Sequence, residues 1–341
     1  MANRLSRVHT NQVERKLTKI QQNSNKKEFK TLTFISPCYN EEVNLETLYK
    51  KLSEITLNLH QKYQIECNIF LVDDGSTDNT WEIITRLGEQ DNKVKGLKLS
   101  RNFGKENALL AGYENAPQSD LYATLDADLQ DDPDIIERML EKSMEGYDIV
   151  YAQRASRQDS QLYLFFTRIF YKFMQAGSKV DFPPNVSDFH LITEKVRRSF
   201  LQMQESIRYS RGLIFFTGFK KIGVEYHRPD RLQGTSKFSF AKLVVLALDA
   251  WTSFSSLPLH LVSITGLILT VLSFLFGAGY IFFSIFYKYN VQGWASTISV
   301  ILFLGSVQMV MIGVIGEYLA RMNQEIKNRP KYFVDETINN Q

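Results

Sequence analysis

Cysteine is scarce, with only Cys38 and Cys67 in 341 residues. Both sit in apolar runs, so no disulfide framework or metal-ligand spacing is present. A reducing compartment fits, and both read as small core hydrophobes. An excess of one charge is also lacking: 40 Lys+Arg stand against 37 Asp+Glu, which argues against a polyelectrolyte partner such as nucleic acid. Residues 1–30 are polar and basic with no apolar core region, so no signal peptide is expected. That stretch reads either as a solvated tail or as an arm on anionic lipid, worth about 1 kcal/mol per basic residue near the surface. No internal repeat or low-complexity segment stands out.

The most informative absence is local. No Lys, Arg, Asp or Glu occurs between Asp249 and Lys288, or between Lys288 and Glu317. Each gap exceeds the roughly 20 apolar residues needed to cross a bilayer. The expected spans are 257–287 and 294–319, and the connection 288–293 is too short for a domain, which makes them a hairpin. Lys237, Lys242, Arg321, Lys327, Arg329 and Lys331 flank the pair, against Lys288 alone in the connection, so both termini are expected in the cytoplasm. Trp251 and Trp294 stand near the boundaries, as interfacial aromatics do.

What remains reads as a charged α/β domain. Short apolar runs at 32–36, 67–72, 96–100, 121–125 and 147–152 predict strands. Helical spacing is seen over 44–61, through Leu45, Leu48, Leu52, Ile55 and Leu59, with Asn44 a candidate cap. Further helices are expected at 80–90, capped by Thr77 or Asp78, at 102–115, and after Pro133. The alternation predicts a mostly parallel sheet with helices on both faces, whose ligands bind beyond the carboxyl ends of the strands. Residues 161–177 surround Arg168 and Lys172 with apolar side chains, reading either as an amphipathic helix in the membrane interface or as a helix packed on the sheet. Residues 237–256 are a second amphipathic candidate.

Polar motifs fall at the expected strand ends: 37–42, 73–78, 101–105 and 126–132. Asp126 and Asp128, one residue apart, can direct oxygens to one hard cation, magnesium or manganese, which would neutralise a departing diphosphate. The alternative is an acidic loop capping the next helix, a role that suits Asp131 and Asp132. Asp73 and Asp74 can accept from a base or a ribose, or serve the loop, with Asp78 the better cap. Tyr39 can line a base pocket, whereas Asn40 and Glu41 read equally as local caps.

Ser-Pro-Cys-Tyr-Asn-Glu-Glu from Ser36, Val-Asp-Asp-Gly-Ser-Thr-Asp-Asn-Thr from Val72, Arg-Asn-Phe-Gly-Lys from Arg101 and Asp-Ala-Asp-Leu-Gln from Asp126 resemble the family 2 inverting glycosyltransferases. The polyprenyl-phosphate group is the most similar: bactoprenol glucosyltransferases and dolichyl-phosphate mannose synthases. Arg-Leu-Gln-Gly-Thr-Ser-Lys from Arg231 and the segment from Gly316 to Pro330 extend the resemblance to the bacterial branch with two membrane helices, over about residues 31–334.

The resemblance implies a GT-A, Rossmann-like fold. It divides the chain into a basic tail (1–30), a cytoplasmic glycosyltransferase domain (31–235), a juxtamembrane amphipathic helix (236–256), a two-helix hairpin (257–320) and a cytoplasmic tail (321–341). Asp126, Asp128 and Gln130 would hold Mg2+ or Mn2+ and, through it, the diphosphate. Pro37, Tyr39, Asn40, Glu41, Asp73, Asp74, Lys105 and Ala127 would line the nucleotide-sugar site, with Arg231, Ser236 and Lys237 closing over the phosphates. Arg154 and Arg168 match positions that hold the lipid phosphate. One departure concerns the family's Asp-Phe-Arg-Leu segment, which here reads Asp188-Phe189-His190-Leu191 and leaves the roles of Asp188 and His190 open.

The implied reaction moves one sugar, glucose or N-acetylglucosamine, from a UDP-sugar to polyprenyl phosphate with inversion, at a bacterial inner membrane. A mannose or aminoarabinose donor is not excluded by the sequence. The lipid bilayer, a second copy of the chain and a flippase are the other expected partners. A processive polysaccharide synthase would carry a Gln-x-x-Arg-Trp segment, where this chain has Arg228-Pro-Asp-Arg231-Leu-Gln233-Gly. An inactive scaffold would have no need for the acid pair.

Overall fold

The computed structural model describes residues 27–154, 183, 186–205, 209–226 and 293–339, with 262, 264–272 and a few further positions up to 286. The chain divides into two compact units: Met1–Ser160 with Val180–Thr235 and Pro330–Gln341, and Gln161–Lys179 with Ser236–Arg329.

The first unit is built on an eight-stranded sheet: β1 (Thr31–Cys38), β2 (Glu66–Asp73), β3 (Val94–Leu99), β4 (Leu121–Thr124), β5 (Ile149–Arg154), β6 (Val186–Thr193), β7 (Lys221–Tyr226) and β8 (Val334–Ile338), in the order β7-β5-β6-β4-β1-β2-β3-β8. The five strands expected from the apolar runs are β1 to β5, with ends moved by up to two residues. The central block β3-β2-β1-β4 is parallel, as the alternation predicts. The sheet as a whole is mixed, because β6 runs antiparallel to β4 and β5, and β8 runs antiparallel to β3.

Helices cover both faces. The predicted stripe on α1 (Leu45–Tyr63) is buried, joining Leu32 and Phe34 of β1 in the main core together with Met139 and Leu140 of α4 (Ile136–Met144). α2 (Thr80–Gln90) adds Trp81, Ile84 and Leu87 to that core. α3 (Lys105–Asn115) lies across the sheet, over Ile35 and Val72. Period-2 alternation along β1 thus feeds two layers of core. α5 (Glu194–Leu201) and α6 (Ser210–Phe216) complete the unit's helices among the described residues.

Two capping expectations separate. Asp78 accepts from the Thr80 N–H at 3.1 Å and serves α2 as expected. Asn44 does not cap α1; its side-chain amide donates instead to Glu41 Oε2 at 2.7 Å. Residues 332–338 pack on the first unit. β8 adds to the sheet edge, Ser100 N–H donates to the Phe333 carbonyl at 2.9 Å, and Tyr332 OH donates to Glu114 at 2.5 Å.

In the second unit, residues 264–272 are helical and α7 spans Trp294–Lys327. Its part Phe303–Lys327 holds an 18-residue stretch with a mean hydropathy of 1.5, and is long and apolar enough to cross a membrane. Phe303, Met309, Val310 and Ile312 on it are exposed, an apolar surface that water does not favour. The two amphipathic candidates, 161–177 and 237–256, lie outside the described residues.

Candidate active site

β1, β2, β3 and β4 run parallel, so the loops leaving their carboxyl ends gather at one end of the sheet. There they enclose a cavity of about 270 Å³ lined by Pro37, Cys38, Tyr39, Glu41, Asp74, Asn102, Gly104, Lys105, Asp126, Ala127 and Asp128. Eight of these are residues the sequence reading singled out. Cys38, Asn102 and Gly104 are wall positions found only in the fold, within motifs already recognised.

The wall is pinned by side chains of its own loops. Asp74, only 3% exposed, accepts from the Phe103 N–H at 2.8 Å and the Gly104 N–H at 2.9 Å. Those donors open α3, and they hold Gly104 at φ +91°, a conformation natural to glycine. At Gly75 (φ +66°) an added Cβ would stand 2.3 Å from the Arg101 carbonyl carbon, so only glycine fits this crossing of two loops. Asn40 does not line the cavity. Its N–H donates to Ser76 Oγ at 3.0 Å and its Oδ1 accepts from the Thr77 N–H at 2.9 Å, clasping the β1 loop to the β2 loop. Asp73 lies beneath the wall: Oδ1 accepts from the Ser76 N–H at 3.1 Å, while Oδ2 is buried with no partner among the described residues. Burial raises its carboxyl above the usual range.

The charged centre is a chain of four groups. Lys105 Nζ lies 2.6 Å from Asp126 Oδ1 and 2.7 Å from Asp188 Oδ2, and the second Asp188 oxygen accepts from Arg211 Nη2. Burial raises the Asp126 carboxyl despite the ammonium. Asp188 also loses solvent, yet Arg211 and Lys105 overcome that and hold it well below the usual carboxylate range. Glu41 is raised by burial, with Asp128 and Asp126 adding to the shift. Asp128 reaches the cavity from a turn where Leu129 has φ +51°, and its Oδ1 accepts from the Gln130 N–H at 3.1 Å. Gln130 does not line the cavity, and its described contact is through its main chain.

Asp131 corrects an expectation. It is not a helix cap but a buried pin, 8% exposed, accepting from Ser187 Oγ and Tyr226 OH, with Arg154 Nη2 at 3.8 Å. The cap is Asp132, which accepts from the Asp134 N–H at 3.0 Å. Arg154 stands at the end of β5, outside the cavity wall, with Nε donating to Tyr226 OH at 3.3 Å. His190 is a core residue: Nε2 lies 2.8 Å from Tyr113 OH and Nδ1 2.6 Å from the Asp188 carbonyl. Burial lowers its pKa to about 4, so the ring is neutral at pH 7. Arg168, Arg231, Ser236 and Lys237 lie outside the described residues. Arg211 and Tyr226 had no sequence signal; both reach their acids from elements beyond the recognised motifs.

Acids and a lysine gather here at parallel strand ends, in a charged cavity of the kind that binds a polar ligand, and known proteins give the class. The description "Glycosyl transferase family 2" matches residues 33–201, and "GtrB C-terminal hairpin" matches residues 258–322. An uncharacterized glycosyltransferase of Synechocystis sp. is 40% identical over 306 residues, covering 89% of this chain and 95% of that one. The SfII prophage-derived bactoprenol glucosyl transferase of Shigella flexneri is 38% identical over 304 residues, 89% and 97% of the two chains. The prophage bactoprenol glucosyl transferase homolog of Escherichia coli K12 is 37% identical, with 89% and 98% covered. The chain belongs to glycosyl transferase family 2.

Proposed function

We propose that this protein transfers one glucose from UDP-glucose to polyprenyl phosphate, inverting the anomeric carbon. The observation that supports this most is the shared cavity of Asp126, Asp128 and Lys105 at the ends of β1, β2 and β4. The bactoprenol glucosyl transferases that the chain resembles over most of its length point to the same acceptor and sugar.

The acceptor sets the chemistry. A phosphate monoester has a second pKa near 6, so it is largely dianionic at pH 7 and attacks without a general base. What the protein must supply is alignment and charge stabilisation. Mg2+ or Mn2+, held by Asp126 and Asp128, would neutralise the charge that develops on the departing UDP. The residues suit such an ion: both acids line the cavity, and Asp126 already opposes a cation, the Lys105 ammonium at 2.6 Å. Pro37, Tyr39 and Glu41 wall the nucleoside end, and Asp74 keeps the 102–104 loop in place beneath the phosphates. Arg154, with Arg168, Arg231, Ser236 and Lys237 from outside the described residues, would meet the acceptor and donor phosphates.

The apolar α7 and the hairpin match support attachment to a bilayer as a two-span protein with the catalytic unit on the cytoplasmic side. The lipid phosphate would then lie at the headgroup plane. The test is turnover by the full-length chain in detergent with undecaprenyl phosphate and, in parallel, UDP-glucose and UDP-N-acetylglucosamine. UDP release with a single-hexose lipid by mass spectrometry is expected. N-acetylhexosamine on the lipid would reassign the donor, and no UDP release with either donor would overturn the reaction.

A further inference from the structure

Two acids share Lys105, but they depend on it unequally. Asp188 is bonded on its other oxygen by Arg211, whose Nη1 is fixed on the Val186 carbonyl at 2.6 Å. Asp126 has Lys105 as its charged partner among the described residues. If the ammonium moved away, Asp188 would keep a guanidinium, whereas Asp126 would be left as a half-buried carboxylate without a charged partner among the described residues.

Lys105 is suited to leave. It is the first residue of α3, follows Gly104, and is joined to the backbone by a flexible four-carbon stem with its side chain 41% exposed. A cation of higher charge arriving at Asp126 takes the place of the ammonium, and a diphosphate in the same cavity offers the ammonium new oxygens.

We infer that Lys105 is a resident counter-cation of the acid pair: it sits on Asp126 until the divalent ion binds and is then handed to the diphosphate, with Arg211 keeping the Asp188 carboxylate paired throughout. The inference rests on the metal and diphosphate reading above. Its consequence is thermodynamic. A metal arriving alone must strip Asp126 of a good partner and leave the ammonium with Asp188 as its one remaining acid among the described residues, beside a guanidinium that already shares that acid. A metal arriving with nucleotide leaves that ammonium satisfied. Metal and nucleotide therefore bind with positive coupling, and Lys105 is the positioning residue that carries it.

The experiment measures Mn2+ binding to the full-length protein in detergent by electron paramagnetic resonance of the free ion, with and without UDP. Wild type should bind Mn2+ at least about 10-fold more tightly when UDP is present. Lys105→Met should bind Mn2+ about 10-fold more tightly than wild type without nucleotide, and should lose most of the UDP enhancement. Lys105→Arg, which keeps a cation on a long stem, should restore it. Arg101→Met removes a nearby charge that stacks on Phe103 (4.1 Å), and should leave the enhancement intact. Equal nucleotide-free Mn2+ affinity in wild type and Lys105→Met, or undiminished enhancement in that variant, would overturn the inference while leaving a working glycosyltransferase. No Mn2+ binding by wild type even with UDP would overturn the metal reading and this inference together.

Discussion

The loops after β2 and β4 each begin with acids, yet the fold uses them in opposite ways. Asp74 is saturated by two main-chain N–H groups that cannot leave. Asp126 is opposed by a side-chain ammonium that can. A carboxylate held by fixed neutral donors is part of the scaffold, whereas one held by a replaceable ion remains available to a ligand. Burial does not separate them, since it raises both carboxyls above the usual range. The partner does.

The contrast breaks most sharply by truncating the β4 loop acids. Asp126→Ala and Asp128→Ala should each lower turnover at least about 100-fold, with membrane insertion and melting temperature near wild type; robust turnover in either would remove the metal role. Asp74→Asn should act on stability instead. An amide would turn an N–H toward one of two N–H donors, costing about 2–3 kcal/mol in denaturation and loosening UDP binding through the displaced 102–104 loop. Unchanged stability would show that the loop holds itself.

His190 offers a pH test outside both loops. Its folded pKa, lowered to about 4, lies below the ordinary 6.5, so the unfolded state takes up protons first. The stabilisation is complete above 6.5 and is lost as pH falls from 6.5 toward 4, by up to about 3 kcal/mol. His190→Gln should flatten that part of the stability profile, and an unchanged slope would place its origin elsewhere. The smallest effect is expected at residues 331–333, the strap that leads into β8. Phe333, 55% exposed, has its ring 6.1 Å from that of Phe103. Phe333→Ala should cost about 1 kcal/mol and raise the donor KM a few-fold without changing kcat. A loss confined to kcat would mean that the strap does not act through the donor loop.

Much of this was legible beforehand. The leucine spacing of α1 and the apolar runs of β1 to β5 are local patterns, and local patterns survive into the fold. So are the motifs that end β1, β2 and β4, because a parallel sheet must bring those ends together. β6 and β8 were not legible as strands. Val-Ser-Asp-Phe-His-Leu-Ile-Thr mixes a charge and a histidine into a central strand, and Val-Asp-Glu-Thr-Ile is an exposed edge whose partner lies some 240 residues earlier in the chain. Neither needs strong intrinsic preference when an existing strand supplies the hydrogen bonds. Asp131 and Asp132 are chemically identical neighbours, and only the positions of Ser187 and Tyr226 decide that the first is a pin and the second a cap.

The sequence by itself determined the family motifs, the parallel core and the apolar stretches near the end, because each is written in the spacing of neighbouring residues. The tertiary structure alone decided which acids are bound to backbone and which to a movable cation. Those partners come from strands and helices distant in sequence, and the energy of a charge depends on what is within about 3 Å of it in space.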